Sequence, residues 1–545
     1  MRMKVSFYTL GCKLNQNETE ALSDAFVKEG FTVLPWGFPE NGPLPLLCII
    51  NTCTVTSKAE QKARRIIRCC LHYGCTVLVT GCYAQLERES LEKLGEEKNS
   101  AGELFVFPGQ GKEKLLNLPR YLVDTLKISR KESLSVIKAQ LAAAIKNFNS
   151  EFYHTGTQRH RVIGIRKTRS TLRVSVSPCE DKREIVSLDC EKNPFSFNPL
   201  HFSFHSRSFL KIQDGCDYSC AYCRVPLARG KSISLESKEV LARLKALEDS
   251  GMAEAVLTGV NICQYADPEN SSRRLPELLR FLLDNTRSIA IRLSSIEPDT
   301  HSITNCNTEN SGGFFIALSH PRIRNHFHLS VQSGSDSVLA VMGRNYKAQD
   351  IIWMVKKLRE IRDDPFIACD IITGFPGETE DDFEKTAGLC RIVDFAWIHA
   401  FPYSKRPGTT AASIKKGIVS ERVAGKRLNL LMDYAKNGKT EYIRRWQGKI
   451  VDAVAINSAG QMPMGKDSPS ESPGEPVQTG ITNDFFPFFP ALTDNYIKIR
   501  CKSRERIALD GSYRRIAPGN ACRCRIVRAA SPAESGFDAW AELVE

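Results

Sequence analysis

The sequence predicts an α/β protein in three parts: a doubly wound N-terminal α/β domain, a central incomplete (β/α)6 barrel and a small C-terminal β-barrel. Three observations carry this expectation. Buried-strand and amphipathic-helix patterns alternate through two separate stretches, residues 1–127 and 207–437. Helical patterns fade after about Asn437, and short strands take over. Cysteines recur at the ends of the expected strands. A length of 545 residues leaves room for about three domains.

In residues 1–127 the strands are expected at Lys4–Leu10, Leu46–Asn51, Thr76–Thr80 and Glu103–Phe107, each a short apolar run bounded by breakers. Amphipathic runs such as Glu18–Glu29 and Ser57–Leu71 lie between them. Cys12 follows the first strand in T-L-G-C-K-L-N, Cys53 the second in I-N-T-C-T-V-T, and Cys82 the third in V-T-G-C-Y-A-Q. Open α/β sheets bind ligands beyond the carboxyl ends of their strands, so three strand ends deliver three thiolates to one crevice. Glycines before Cys12 and Cys82 let the backbone approach a bulky cofactor. Cys48, Cys69, Cys70 and Cys75 fall inside a strand or a helix pattern, or between them, and read as packing or surface residues.

Residues 128–206 read as an irregular basic linker or insertion. Within it, 158–173 carries six Lys/Arg and no acid, which fits an RNA-contacting arm and a solvated loop equally. Cys179 and Cys190 read as unliganded.

Alternation returns in residues 207–437, with strands expected at Phe209–Gln213, Ala253–Leu257, Ile289–Leu293, His326–Val331, Ile367–Ile372 and Trp397–Pro402. Active-site residues of such barrels lie at the carboxyl ends of the strands. Those ends carry Gly259 and Asn261, Ser295 and Glu297, Gln332, and Asp370 and Gly374, and F-P-Y-S-K-R closes the series. After the first strand comes K-I-Q-D-G-C-D-Y-S-C-A-Y-C-R-V-P-L-A-R-G, in which Cys216, Cys220 and Cys223 form C-x3-C-x2-C. A structural zinc site wants four ligands, and no fourth Cys or His follows nearby. Three cysteines on a 4Fe–4S cluster leave one iron without a protein ligand.

Residues 438–545 read as a small β module with strands at Ile450–Ile456, Asn495–Ile499 and Ala521–Val527. The Pro/Ser/Gly-rich insertion 462–476 reads as a flexible loop. Phe485, Phe486, Phe488 and Phe489 either stack bases or fill a core, and core is the ordinary use of such a run.

The composition, 42% hydrophobic and 25% charged, is that of a globular domain protein, and no apolar run spans a bilayer. The N-terminus shows no secretory cleavage pattern, so a cytoplasmic location is expected. There, 19 cysteines point to metal or redox chemistry rather than a disulfide scaffold. A net charge of +13 fits a polyanionic partner and also a solvated basic surface.

The loop from Lys211 to Gly230 resembles the cluster loop of the radical S-adenosylmethionine (SAM) superfamily. The resemblance implies that SAM chelates the open iron and is cleaved to a 5′-deoxyadenosyl radical. It makes Tyr222, Gly259, Asn261, Ser295, Glu297, Gln332, Asp370 and Gly374 the candidates for holding SAM. The order of the strand-end cysteines, the barrel and the terminal basic module resembles the methylthiotransferase family of these enzymes, whose C-terminal RNA-binding barrel is called TRAM. That implies a second 4Fe–4S cluster on Cys12, Cys53 and Cys82, a tRNA substrate and a low-potential flavodoxin- or ferredoxin-like electron donor. G-C-K-L-N-Q-N-E-T-E, N-T-C-T-V-T, T-G-C-Y-A-Q, P-L-A-R-G and F-P-Y-S-K-R-P-G-T look most like the branch that acts on N6-threonylcarbamoyladenosine, adding a methylthio group at C2. The alternatives are the branch acting on isopentenyladenosine, a radical SAM enzyme with a single cluster, and a non-catalytic metal-containing RNA-binding protein.

Overall fold

The computed structural model describes residues 3–544 apart from 35, 38–43, 98–99, 127–132, 158–192, 199–207, 300–310, 457–487, 503–518, 532–533 and 535. The basic stretch 158–173, Cys179, Cys190, the insertion 462–476, Phe485 and Phe486 lie outside the described residues. The chain divides into two compact units: Met1–Tyr8, Ala21–Thr52 and Arg64–Phe197 form one, and Thr9–Glu20, Cys53–Ala63 and Asn198–Glu545 the other.

The first unit is built on a five-stranded sheet of order β2-β1-β3-β4-β5, with β1 Lys4–Thr9, β2 Thr32–Leu34, β3 Leu47–Thr52, β4 Thr76–Gly81 and β5 Leu104–Val106. The β1–β2, β3–β4 and β4–β5 pairs are parallel. Every residue of β3 and β4 is buried, as continuous apolar runs require when both faces of a sheet are covered. The unexpected strand, β2, is three half-buried residues at the sheet edge, too short to show a period in sequence.

The reading of 128–206 as irregular is corrected over part of its length. Leu134–Thr157 is a 24-residue helix. Ile137, Leu141, Ala144, Ile145 and Phe148 are buried along it, at intervals of three to four residues. Phe148 meets Phe107 and Tyr121 with ring centroids 6.2 and 5.2 Å apart, and Lys138 Nζ donates to the Gly74 carbonyl at 2.6 Å. The helix therefore completes the first unit instead of linking two others.

In the second unit six strands follow in sequence order: β6 Ser208–Lys211, β9 Glu254–Thr258, β10 Ala290–Leu293, β11 His326–Gln332, β12 Phe366–Thr373 and β13 Trp397–Pro402. They form two parallel three-stranded sheets, β10-β9-β6 and β11-β12-β13. Single bridges, Ile291 with Ile323 and Ile296 with Leu329, carry one sheet into the other. This is the expected incomplete barrel. The short antiparallel pair of β7 Gln213–Asp214 and β8 Ile233–Ser234 closes the cysteine loop at its base.

The C-terminal strands β14 Ile450–Ala455, β15 Phe488–Thr493, β16 Lys498–Lys502, β17 Ala521–Ala529 and β18 Ala539–Leu543 close a barrel of order β14-β15-β16-β18-β17. β15 escapes a sequence reading because Pro490 sits within it, and β18 because it is short. The strand expected from Asn495 begins at Lys498, since Thr493 to Ile497 form a turn with Tyr496 at φ +66°. Phe489 packs against the barrel core, the ordinary role weighed for the Phe run.

The two barrels share one core. Phe366 and Ala368 of β12 pack with Tyr442, Ile443 and Trp446 of the helix Glu421–Trp446 and with Val451, Ala453 and Ile499 of the closed barrel. Arg292, fully buried on β10, donates to Glu254 at 2.7 and 2.9 Å and to the carbonyls of Asp494 and Thr493 at 3.0 and 3.1 Å. Tyr496 stacks on His326 with centroids 4.1 Å apart. Among the described residues no helix is long and apolar enough to cross a membrane.

Breaking a buried ion pair by removing one partner costs about 3–5 kcal/mol. Arg324 also reaches Glu254, at 2.8 Å, and softens the loss. Arg292→Ala is therefore expected to destabilise the second unit by about 3 kcal/mol, read as a lower denaturant midpoint; an unchanged midpoint would show that the arginine does not secure the terminal barrel.

Candidate functional site

The loop carrying Cys216, Cys220 and Cys223 has almost no regular structure, so its backbone groups are satisfied by neighbours. Cys216 N–H donates to the Gly230 carbonyl at 3.1 Å and Cys223 N–H to the Cys220 carbonyl at 3.0 Å. Ala221 N–H donates to the Met342 carbonyl at 2.9 Å, and its own carbonyl accepts from Ala411 N–H at 2.8 Å. Gly215 is at φ +71°, and a Cβ there would lie 1.9 Å from the Lys231 carbonyl oxygen, so only glycine fits the turn.

All three cysteines are partly exposed. Burial pushes Cys216 up to about 11 and Cys223 up to about 12, and raises Cys220 as well. Val225 N–H donates to Cys223 Sγ at 3.4 Å, and on the other set Val55 N–H donates to Cys53 Sγ at 3.5 Å. Hydrogen bonds of this kind are what tune sulfur ligands of iron–sulfur clusters. Among the described residues no three His, Cys, Asp or Glu side chains converge tightly enough to hold one metal ion. A preset loop, thiols at its rim and N–H donors aimed at sulfur fit a cluster.

Cys12, Cys53 and Cys82 follow the carboxyl ends of β1, β3 and β4, which are neighbours in the sheet. Gly11 is at φ +116°, and a Cβ on it would lie 2.9 Å from Cys53 Cβ. Gly81 is at φ +100°, and its Cβ would meet the Thr52 carbonyl oxygen at 2.4 Å. The glycines thus allow close backbone approach at these strand ends. Cys48, Cys70 and Cys75 are buried in the first unit. A hydrogen bond with Cys70 is the main reason the Cys48 thiol is held well above its usual pKa.

The residues expected to hold SAM have varied surroundings. Glu297 is buried in an ion pair with Arg344, which also donates to the Tyr222 hydroxyl. Burial raises the Glu297 carboxyl pKa, and the Arg344 charge opposes the rise. Charges of Glu297 and Arg344 are felt by both Cys216 and Cys220, so Tyr222, Glu297 and the cysteines share one neighbourhood. Asn261 donates its N–H to Gln213 Oε1 at 2.9 Å, and its side chain accepts from Cys263 N–H at 3.1 Å. Gly259 lies against Gln213, where a Cβ would meet Oε1 at 2.7 Å. Ser295 is partly exposed past the end of β10. Gln332 ends β11 in the left-handed region at φ +65° and is buried.

Asp370 and Gly374 have other neighbours. Asp370 lies within β12, with His328 Nε2 2.9 Å from its Oδ2. His399 on β13 stacks against His328 at 5.2 Å, and burial lowers its pKa to about 4. Gly374 turns its Cα toward the helix Glu421–Trp446, where a Cβ would lie 2.6 Å from Ala424 Cβ. Arg344 and Tyr346 escaped the sequence reading. They follow Gly343, a helix-ending glycine at φ +74°, and no spacing relative to the cysteines marks them.

Comparison with known proteins gives the following matches. Residues 210–390 match the radical SAM superfamily, and residues 4–101 match Uncharacterized protein family UPF0004. The threonylcarbamoyladenosine tRNA methylthiotransferase MtaB of Treponema pallidum (strain Nichols) is 40% identical over 474 residues, covering 84% of this chain and 92% of the relative. The protein of the same name from Thermotoga maritima is 34% identical over 448 residues, covering 82% of this chain and 85% of the relative. A tRNA-2-methylthio-N(6)-dimethylallyladenosine synthase of Anaplasma marginale is 29% identical over 456 residues, covering 83% and 84%.

Loading a cluster must expel the protons of its thiols. Because burial raises the Cys216 and Cys223 pKa to about 11 and about 12, the deprotonated fraction grows at every step from pH 7 to pH 9. Iron bound on anaerobic reconstitution at limiting iron is expected to rise over that window, and equal loading at both ends would contradict it.

Proposed function

Because the chain belongs to the threonylcarbamoyladenosine tRNA methylthiotransferase MtaB family of radical SAM enzymes, we propose that it inserts a methylthio group at C2 of N6-threonylcarbamoyladenosine beside the anticodon of tRNA. The observation that carries the reading is the pairing of a C-x3-C-x2-C loop on a six-stranded open barrel with cysteines after three neighbouring strands of a second sheet. Its cofactors are two 4Fe–4S clusters and SAM. Cys216, Cys220 and Cys223 hold the first cluster, and Cys12, Cys53 and Cys82 the second.

When bound, these groups supply a 5′-deoxyadenosyl radical and a transferable methylthio sulfur, chemistry that polar side chains do not provide at an aromatic C–H bond. The protein's own part is placement. The Gly215 turn and the bonds of Ala221 hold the first loop open. Arg344 keeps the Glu297 and Tyr222 side chains beside the cysteines, where they would contact SAM when it is bound. A flavodoxin- or ferredoxin-like donor supplies the electrons.

The outer face of the closed barrel serves the tRNA. Lys498, Arg500 and Lys502 point outward along β16, and Arg523 and Arg525 along β17. The Arg500 guanidinium lies 5.7 to 5.9 Å from the Phe488, Phe537 and Trp540 rings. The shared core makes truncation a poor probe of this role, since removing the barrel would uncover Phe366 and Tyr442. Lys498→Glu with Lys502→Glu is expected to weaken tRNA binding and to flatten its salt dependence by about 0.7 to 0.9 for each phosphate no longer neutralised. Unchanged affinity and slope would assign the tRNA to another surface.

The central test pairs iron per chain with modified nucleosides by mass spectrometry. The wild type should hold about eight irons, as two four-iron clusters require. Cys53→Ala should lose one cluster, keep 5′-deoxyadenosine formation and make no methylthio product. Cys216→Ala should lose SAM cleavage, and Cys48→Ala should lose nothing. About four irons in the wild type would favour a single-cluster enzyme, and full product from Cys53→Ala would refute the ligand assignment.

A further inference from the structure

Two buried ionic networks join the segments that carry Cys12 and Cys53 to the segments that carry Cys216 and Cys223. In one, Thr54 adjoins Cys53 and Arg224 adjoins Cys223 in the chain. The Thr54 hydroxyl donates to Glu60 Oε1 at 2.6 Å. Arg224 donates to Thr54 Oγ1 at 3.1 Å and to Glu60 Oε1 at 3.4 Å. Arg406, on the loop after β13, donates to the same Glu60 oxygen and to Thr54 Oγ1 at 3.2 Å. The Glu60, Arg224 and Arg406 side chains are 10%, 5% and 4% exposed. Ser404 of the same loop accepts from Ser57 N–H at 3.0 Å.

The Cys12 side is held in the same manner. Arg229 donates to Asn15 Oδ1 at 2.7 Å, to Glu18 Oε1 at 3.1 Å and to Asp214 at 3.0 Å. Lys211 Nζ lies 3.3 Å from Glu18 Oε1, with both side chains fully buried. Asp214 stands two residues before Cys216, and Arg229 ends the cysteine loop.

Apolar side chains would join these segments without the cost of burying charge. Charges sharing one carboxylate instead fix direction and distance, because a forked guanidinium tolerates little displacement. The reaction needs that kind of constraint. The substrate carbon must meet a sulfur from one cysteine set and a radical made beside the other, so a small error in their separation lowers transfer steeply.

We propose that Glu60, Arg224 and Arg406 are positioning residues that set the separation of the Cys53 segment from the Cys216–Cys223 loop, so that radical formation is coupled to methylthio transfer. The proposal rests on the cluster ligands assigned above. Those are secured first by the iron content of the wild type and of Cys53→Ala, so failure of the assignment is seen separately.

The test uses Glu60→Gln and Arg406→Lys in the anaerobically reconstituted full chain. Iron content and 5′-deoxyadenosine formation are expected to stay at wild-type level. Methylthio product per 5′-deoxyadenosine should fall roughly 10- to 100-fold. The magnetic interaction between the two reduced clusters, read by electron paramagnetic resonance, should change in the same samples. If only one variant loads iron, that variant decides. An unchanged product ratio, or an unchanged magnetic interaction, would overturn the proposal. Loss of both clusters in both variants would overturn it too, by giving these residues a part in folding rather than in spacing.

Discussion

The hydrogen bonds of Ala221 are the hinge of the structure. A loop built to present three thiols cannot also be a helix or a strand, so its backbone must be paired from outside. Ala221 draws its two partners, Met342 and Ala411, from the end of one helix and from a turn after the last barrel strand. The cysteine loop, closed at its base by β7 and β8, thereby takes its shape from elements 121 and 190 residues further along the chain. Gly215 admits the turn that makes this possible, and Gly343 ends the helix whose last carbonyl receives Ala221.

Charge is the second organising feature of the second unit's interior. Arg292 with Glu254, Arg344 with Glu297, Arg427 with Glu378, and the groups around Glu18 and Glu60 are all buried. Buried ion pairs give little net stability, because desolvation offsets their attraction. What they provide is selectivity, since each carboxylate accepts only a guanidinium arriving at the right place and angle.

The closed barrel is part of the same construction. Arg292 of β10 reaches its turn carbonyls, and Tyr496 of that turn stacks on His326 of β11. The closed barrel is thereby held to a fixed frame, with Phe366 and Tyr442 in the common core as its joint.

Local spacing was enough for much of this protein. Apolar runs followed by cysteine located strands of the first sheet, because a strand buried on both faces leaves a continuous signature, and the narrow C-x3-C-x2-C spacing marked the loop after β7. Gly11, Gly81 and Gly215 were legible for the same reason: each answers a constraint set within a few residues. Spacing misled where the signal was short or interrupted, as at β2 and at β15 with Pro490, or where a helical run, Leu134–Thr157, adjoins a stretch without a period. It gave no sign of Arg344 or Arg292, and it marked Arg406 only as a polar strand-end residue without its buried carboxylate partner. An arginine in sequence looks the same whether it faces water or a buried carboxylate two hundred residues away, and which of these it does is decided only when the chain has closed around it. The same limit holds for the approach of Gly374 to Ala424, which no spacing in the sequence marks. Ligand identity is a property of neighbouring residues in the chain, whereas the placement of one ligand set against another depends on pairings between segments that only the folded structure brings together.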